Sequence, residues 1–540
     1  MTRERALKTS ILGAAALALL AACPVPAPKC TDDTHCLATH QCTDSVCVVR
    51  TPCTTNVECI TKLGGEPALC RKPEGLCVVL KSEDCTDIMA GPGDLENDAT
   101  VYFGTMLPIR GADESTGRPQ QNSVELARRE FRSTVGLPSL TAGGPKRPMV
   151  FVGCNDDADP VRAAQHLAEV VKVPAIIGPA FSGVTLTVAS EVTVPAGTLL
   201  VSPSATSQAI TTLDDQELVW RTSPSDALQA KAVGGLVTQL EPRARTAAGL
   251  MASDPITLAI ASKGDGYGRG LRDELVATMR FNGMAAVEVQ DTYFTRTDYG
   301  DPDDPANTDP AARYAASITA VVSQAPHIVI LVGTNEGVTQ IFAGVEAQWP
   351  TGTTTYRPFW IFTDGGQIPE LLSAVDGKDE LRRRVFGSVP GTNDSNLLYR
   401  RFLDSYESVF NDGTEPRVFG TAGAYDAAYL IAFAAASLGD RPLTGANLSQ
   451  GLKQLTGGAQ QIELGPRDIG AGFTALTSNP DARINVAGAS GPLDFDVTFG
   501  EAPSDIQTWC ITTSGGLRYF FTGYFYNAVS GQMEGSLTCP

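Results

Sequence analysis

Two small, hydroxyl-rich turns carry the chemistry of residues 173–209. They read Gly178-Pro179-Ala180-Phe181-Ser182-Gly183 and Ser202-Pro203-Ser204-Ala205-Thr206-Ser207. Each follows at once on a short apolar run, 175–177 or 198–201, of the kind that forms a buried parallel strand. Ligands of open α/β sheets sit at the carboxyl ends of the strands. A helix that follows such a turn offers unpaired N–H groups there, and Ser182 or Thr206 adds a hydroxyl donor for a carboxylate. The same residue types also cap helices. Two such turns one strand apart hold a small anion; they do not break a bond.

Catalytic patterns are missing. The sequence has no Gly-x-Ser-x-Gly, no His-Glu-x-x-His, no P-loop and no Gly-x-Gly-x-x-Gly after a strand. Of its four histidines, His35 and His40 lie in a Cys-rich stretch, His166 falls inside a predicted helix and His327 precedes a strand. Loop and cap roles suffice for Asp156 and Asp157. The chain is therefore read as a binder, not an enzyme, with no cofactor and no metal.

The elements that would position these turns alternate. Strands are predicted at 101–108, 149–153, 256–261, 287–290, 328–332 and 359–362, and again from 493 onward. Helices are predicted at 123–134, after Asp159-Pro160, and at 269–279, 311–322, 397–410 and 420–438. This alternation is the mark of βαβ units and parallel sheets. The acidic stretch 295–310, with Asp298, Asp301, Asp303, Asp304 and Asp309, reads as a solvated loop. Its spacing is not that of an EF-hand, although calcium remains an open alternative.

Residues 1–22 have an export signal's charged start (Arg3, Arg5, Lys8) and an apolar run too short to span a bilayer. Leu20-Ala21-Ala22-Cys23 resembles the lipobox of bacterial lipoproteins, in which the cysteine is acylated. Setting Cys23 aside leaves twelve of the 13 cysteines, an even number that implies disulfides in an exported chain. Cys30, Cys36, Cys42 and Cys47 are echoed by Cys53, Cys59, Cys70 and Cys77; both copies begin Cys-Thr and end Cys-Val-Val, and the pairings within each copy stay open. Zinc is the weaker alternative, for want of any Cys-x2-Cys pair. Cys510 and Cys539 flank a β-rich tail and are expected to pair across it, which by parity leaves Cys85 for Cys154. The net charge of −19, or −21 once Arg3, Arg5, Lys8 and Glu4 are lost with the signal, disfavours nucleic acid and anionic membrane surfaces as partners.

With these residues in view, the chain resembles the type I periplasmic binding proteins of the leucine/isoleucine/valine kind. The motifs are Asp156-x2-Asp159-Pro160, Ile177-Gly178-Pro179-x2-Ser182, Ser202-Pro203-Ser204-Ala205-Thr206, Arg221-Thr222-x3-Asp226 and Asp265-Gly266-Tyr267-Gly268, in that order. The resemblance implies an α/β fold of two Rossmann-like lobes joined by a three-strand hinge, preceded by a small disulfide-rich region. The boundaries that follow are a signal peptide at 1–22, a Cys-rich tether at 23–95, one lobe from 98–226 plus 390–488, and the other from 227–389 plus 489–540. The resemblance also implies that Ser182 binds a ligand carboxylate and that Ala205 and Thr206 hold an amino-acid head group. Tyr267 would contribute from the second lobe, and Asp364 would pair with the ligand ammonium. Phe181 stands where some members have a disulfide cysteine.

The expected function is a lipid-anchored receptor in the cell envelope. It would capture an amino acid or similar small polar solute and hand it to an ABC permease. Pro24 after Cys23 favours the outer membrane, by resemblance to enterobacterial sorting. The alternative is an envelope sensor or interaction lipoprotein, such as a regulator of peptidoglycan synthesis, which the Cys-rich repeats favour. An adhesive surface module built on those repeats is weaker still.

Overall fold

The computed structural model describes residues 40–43, 46–72, 74–134, 136–139, 144–304, 306–352, 354–391 and 395–540. The expected signal peptide, Cys23, Cys30 and Cys36 lie outside them. The chain divides into two units, 1–50 and 51–540. In the first, strands His40–Thr43 and Val46–Val49 form an antiparallel hairpin that sets Cys42 opposite Cys47, each in a disulfide.

The second unit begins with the other cysteine repeat. Helix Asn56–Lys62, capped by Thr55, precedes a hairpin of Ala68–Arg71 and Leu76–Val79 in which Cys70 faces Cys77. The bonds run Cys53–Cys70 and Cys59–Cys77. The sulfurs of Cys53, Cys59 and Cys70 lie within 4.8 Å of one another, but as disulfides they offer no thiolate to a metal. This repeat is fastened to the lobe that follows: Asn56 N–H donates to Asp98 (2.7 Å), and Arg71 donates to the Val170 carbonyl (2.7 Å).

Among the described residues, two large sheets build two lobes. The first has the strand order Val219–Arg221, Leu199–Ser202, Ala175–Ile177, Val101–Leu107, Met149–Asn155, Cys85–Met89. All are parallel except the last, which runs antiparallel beside Met149–Asn155 and is disulfide-bonded to it through Cys85–Cys154. The tether boundary at 95 had assigned this strand to the Cys-rich segment; its hydrogen bonds place it in the sheet. A five-residue strand inside a Cys-rich stretch is too short to show a pattern.

The second sheet runs Phe294–Asp298, Leu258–Ser262, Ile328–Val332, Phe359–Phe362, Val385–Pro390, Ile506–Thr512, Arg518–Asn527, Gln532–Gly535. Its first five strands are parallel and the last three antiparallel. Cys510 is bonded to Cys539. Helices cover both faces: Leu258 and Ile260 point into the cluster under Asp226–Ala248, while Ala259 and Ala261 point into the one under Pro310–Gln324. That two-residue alternation, buried on both sides, explains why such strands read as unbroken apolar runs. No helix among the described residues is long and apolar enough to cross a membrane.

Among the described residues the chain passes between the sheets three times: after Arg221, after Pro390 and before Ile506. The crossings adjoin, since Arg221 N–H donates to Gly500 and Gly391 N–H to Asp505. Leu493, Phe495 and Ala502 sit in the first lobe's core, so the last crossing falls after residue 502 instead of at 489, and no strand begins at 493. The expected strand at 287–290 is also absent. Ala286–Glu288 is a short 3-10 turn with Val287 exposed, and the place beside Leu258–Ser262 goes to Phe294–Asp298.

Candidate functional site

In chain order, the five parallel strands of each sheet are arranged 2-1-3-4-5. Such a sheet opens a crevice where the order reverses, between its first and third strands. In the first lobe that point lies between Val101–Leu107 and Ala175–Ile177; in the second, between Leu258–Ser262 and Ile328–Val332. The loops that follow these strands face each other. Ser207 Oγ donates to the Gly266 carbonyl (3.0 Å), Ser115 Oγ to Glu370 (3.1 Å), and the Lys263 ammonium lies 5.6 Å from the Phe181 ring centre. Between them is a narrow crevice lined by Phe181, Ser182, Tyr267, Thr334, Asp364 and Phe419, among others. Val418 and Phe419 separate it from a space of about 490 Å³ against the hinge.

The first lobe's wall is built by hydroxyls tying backbone to backbone. Gly178 must be glycine: its φ is +114°, and a Cβ there would lie 1.9 Å from the Met106 carbonyl oxygen. Ser182 opens helix Ser182–Val188, and its Oγ accepts the N–H groups of Thr206 and Ser207 (3.1 Å each), joining the two turns found in the sequence. Ser202 Oγ donates to the Pro179 carbonyl (2.6 Å), and Ser204 Oγ to that of Ala180 (2.9 Å). Behind the second turn, buried Arg221 donates to the carbonyls of Ala205 (3.3 Å) and Ser207 (2.9 Å) and pairs with Glu501. Ser223 also donates to the Ala205 carbonyl (2.9 Å). That carbonyl therefore has both lone pairs engaged inside the lobe, contrary to the expected contact with a ligand head group.

The second lobe's wall is charged. Tyr267, in the first turn of helix Gly266–Thr278, donates to Asp364 Oδ1 (2.7 Å) and lies 2.6 Å from Thr363 Oγ1. Asp364 follows strand Phe359–Phe362, and burial raises its carboxyl above the ordinary range while Tyr267 opposes the shift. Asp226 is wholly buried at the start of the crossing helix, with neither carboxylate oxygen hydrogen-bonded. Burial first, then the neighbouring Asp364, drives it well up. The Thr206 hydroxyl is likewise buried without a hydrogen bond.

A second charged group borders the crevice. Lys263 is 3 % exposed and lies 3.2 Å from Asp303, 3.5 Å from Asp301 and 3.9 Å from Asp265. The acidic stretch expected to be a solvated loop thus starts inside a strand, buries Tyr299 completely and folds two of its acids onto this lysine. Asp113 and Asp156 of the first lobe are pushed up to about 7 and about 8, mainly by burial, with acids of this group adding to the shift.

Of the residues singled out in the sequence, Ser182, Tyr267 and Asp364 line one crevice, and Ala205 and Thr206 sit behind its wall. Phe419, Val418, Thr334 and Lys263 were missed. The first two arise from an aperiodic stretch between helices. Lys263 did carry a signal, as a lone cation ending an apolar strand.

This architecture, two α/β lobes clasping a crevice at facing switch points, defines a class of solute-binding protein. Residues 100–462 match the periplasmic binding protein family, and the chain belongs to it. No curated protein matches the sequence. Among solved structures, the branched-chain amino acid transporter substrate binding protein LivJ of Streptococcus pneumoniae, in complex with isoleucine, shares the fold over 78% of this chain and 99% of its own, at 16% identity and a TM-score of 0.53. The leucine binding protein LivK of Thermotoga maritima covers 78% and 98%, at 15% and 0.55. An ABC transporter solute binding protein of Rhodopseudomonas palustris BisB5, in complex with 3,4-dihydroxy benzoic acid, covers 80% and 98%, at 17% and 0.54.

Proposed function

We propose that this chain is an extracytoplasmic receptor that closes on an amino acid or similar small zwitterion and delivers it to an ABC transporter. The observation that carries the reading is the polarity of the crevice. One wall offers the Ser182 hydroxyl at a helix start; the other offers Asp364, oriented by Tyr267. Among the described residues lining it, Asp364 is the one charged side chain. An acid with no cation beside it favours a ligand that brings an ammonium, and charge-assisted hydrogen bonds in a dry site are the strong kind. A simple aromatic acid, such as the Rhodopseudomonas protein holds, would meet that carboxylate with like charge. Exported location fits the disulfides, and acylation of Cys23 would supply the anchor. The sensor alternative uses the same crevice and rests on the cysteine repeats.

Titration calorimetry against amino acids and benzoate tests this. Binding of a zwitterion is expected, weakened by about 1–3 kcal/mol in Ser182→Ala or Asp364→Asn, as a ligand group loses its partner. Binding of benzoate alone, or affinity unchanged in both variants, removes the assignment.

A further inference from the structure

At the other end of the first sheet lies a basic pocket that the crevice does not use. It is a groove of about 930 Å³ at the start of strand Met149–Asn155, lined by Arg128, Arg132, Lys146 and Arg147, with Asp94 as the one acid. The strand's far end, Asn155, accepts from the Arg110 N–H beside the crevice. Seven residues at about 3.3 Å each put the two sites about 20 Å apart.

Two of the four cations are buried. Arg147 is 8 % exposed; its Nε donates to the Pro138 carbonyl (2.8 Å), and no carboxylate lies within ion-pair distance among the described residues. Arg128 is 4 % exposed. Its Nε and Nη2 donate to Glu125 (2.6 and 2.8 Å), while Nη1 makes no hydrogen bond and has Asp94 no nearer than 3.5 Å. Arg132 donates to the Pro92 carbonyl (2.9 Å) and shares Asp94 with Arg128. Lys146 is exposed and has no ion pair among the described residues. Four cations line the groove against one lining acid, and with Glu125 set against Arg128 the local excess is two positive charges, in a chain whose net charge is −19. Keeping an unpaired guanidinium out of water is costly, and burial alone holds the Arg147 guanidinium below its usual range.

We propose that this groove binds a phosphate group, free or as the headgroup of a phospholipid. A dianion matches the charge excess. Planar guanidinium forks pair bidentately with tetrahedral oxyanions, and a lysine adds a point charge. Arg147 and the Arg128 Nη1 supply the buried donors, and Lys146 closes the mouth.

The test uses the full chain, with inorganic phosphate as the soluble probe and phosphatidylcholine vesicles with or without phosphatidic acid as the lipid probe. At constant ionic strength, phosphate is expected to raise the melting temperature, and the solvent-facing charge reversal Lys146→Glu to weaken its binding about tenfold or more. Arg147→Met is expected to abolish it. Cosedimentation with phosphatidic acid vesicles that Lys146→Glu removes identifies the headgroup as the source; a response to phosphate alone identifies the free anion. An equal shift with chloride, or responses to both probes unchanged in Lys146→Glu, overturns the proposal.

Discussion

The two lobes share a strand order and differ in what their switch-point loops are made of. In the first lobe, Ser182, Ser202, Ser204 and Arg221 each satisfy backbone groups of the same two turns. That wall is finished before anything binds. The second lobe presents four ionisable side chains, Lys263 and Asp364 buried and Asp265 and Glu336 half-buried. Asp113 and Asp156 of the first lobe feel this charged group from across the crevice. One half is a rigid template; the other is a charge arrangement whose energy depends on what lies opposite. On the function proposed above, a ligand ammonium would relieve an excess of acid that the template cannot.

The contrast breaks most forcefully at Arg221. This guanidinium is 1 % exposed and holds the Ala205 and Ser207 carbonyls, Thr211 and Glu501 together. Arg221→Met leaves the Ser207 carbonyl without this donor and the Glu501 carboxylate without its cation, an expected loss of about 3–5 kcal/mol in urea unfolding. A loss below about 1 kcal/mol would mean the template is held elsewhere.

Asp364→Asn tests the opposite wall. It keeps the shape and removes the charge, so ligand affinity should fall by about 1.5–3 kcal/mol, the value of a hydrogen bond to a charged group. Stability should stay level or rise, because the carboxylate is buried at a cost. Calorimetry and urea unfolding on the same variant separate the two effects; equal losses in both would make Asp364 a structural residue.

The template was the more legible half. Ala175–Ile177, Ile328–Val332 and Phe359–Phe362 begin and end where their apolar runs do, because strands buried on both faces leave no polar positions to blur them. Ser182 and Thr206 stood out because hydroxyl-rich turns after such strands are local patterns. The charged half depends on distance in space. Lys263 gains its meaning from Asp301 and Asp303, some forty residues away, and composition alone assigned those acids to solvent. Phe419 enters the crevice from a stretch with no period to read. The engaged Ala205 carbonyl shows the same limit, since its partners Arg221 and Ser223 lie beyond the turn that carries it.

A smaller effect is expected at Ser182 itself. Its Oγ is the acceptor for the Thr206 and Ser207 N–H groups, so Ser182→Ala strands two buried donors. About 1–2 kcal/mol of stability should be lost in the unliganded protein. No change in urea unfolding would show that the turns keep their form without the stitch, and that the serine acts on ligand alone.

The gentlest probe is pH. Burial lifts Asp265 to about 6, Asp113 to about 7 and Asp156 to about 8, each from an ordinary 3.8. Above about pH 4 the native state therefore holds protons that the unfolded chain has released. Their contribution is fully present below that pH and is lost as pH rises through 6 to 8. The neighbours do not reverse the sign in this window. Glu336 is held low, mainly by Lys263 against its burial, and its contribution is lost only as pH falls; Lys263 is raised well above its ordinary value and stays charged throughout. Asp157 and Asp301, both raised by burial, act in the same direction as Asp156. The melting temperature of the wild type should decline from pH 6 to 8, and that of Asp156→Asn should decline less. Parallel profiles would show that burial does not hold Asp156 protonated in the native state.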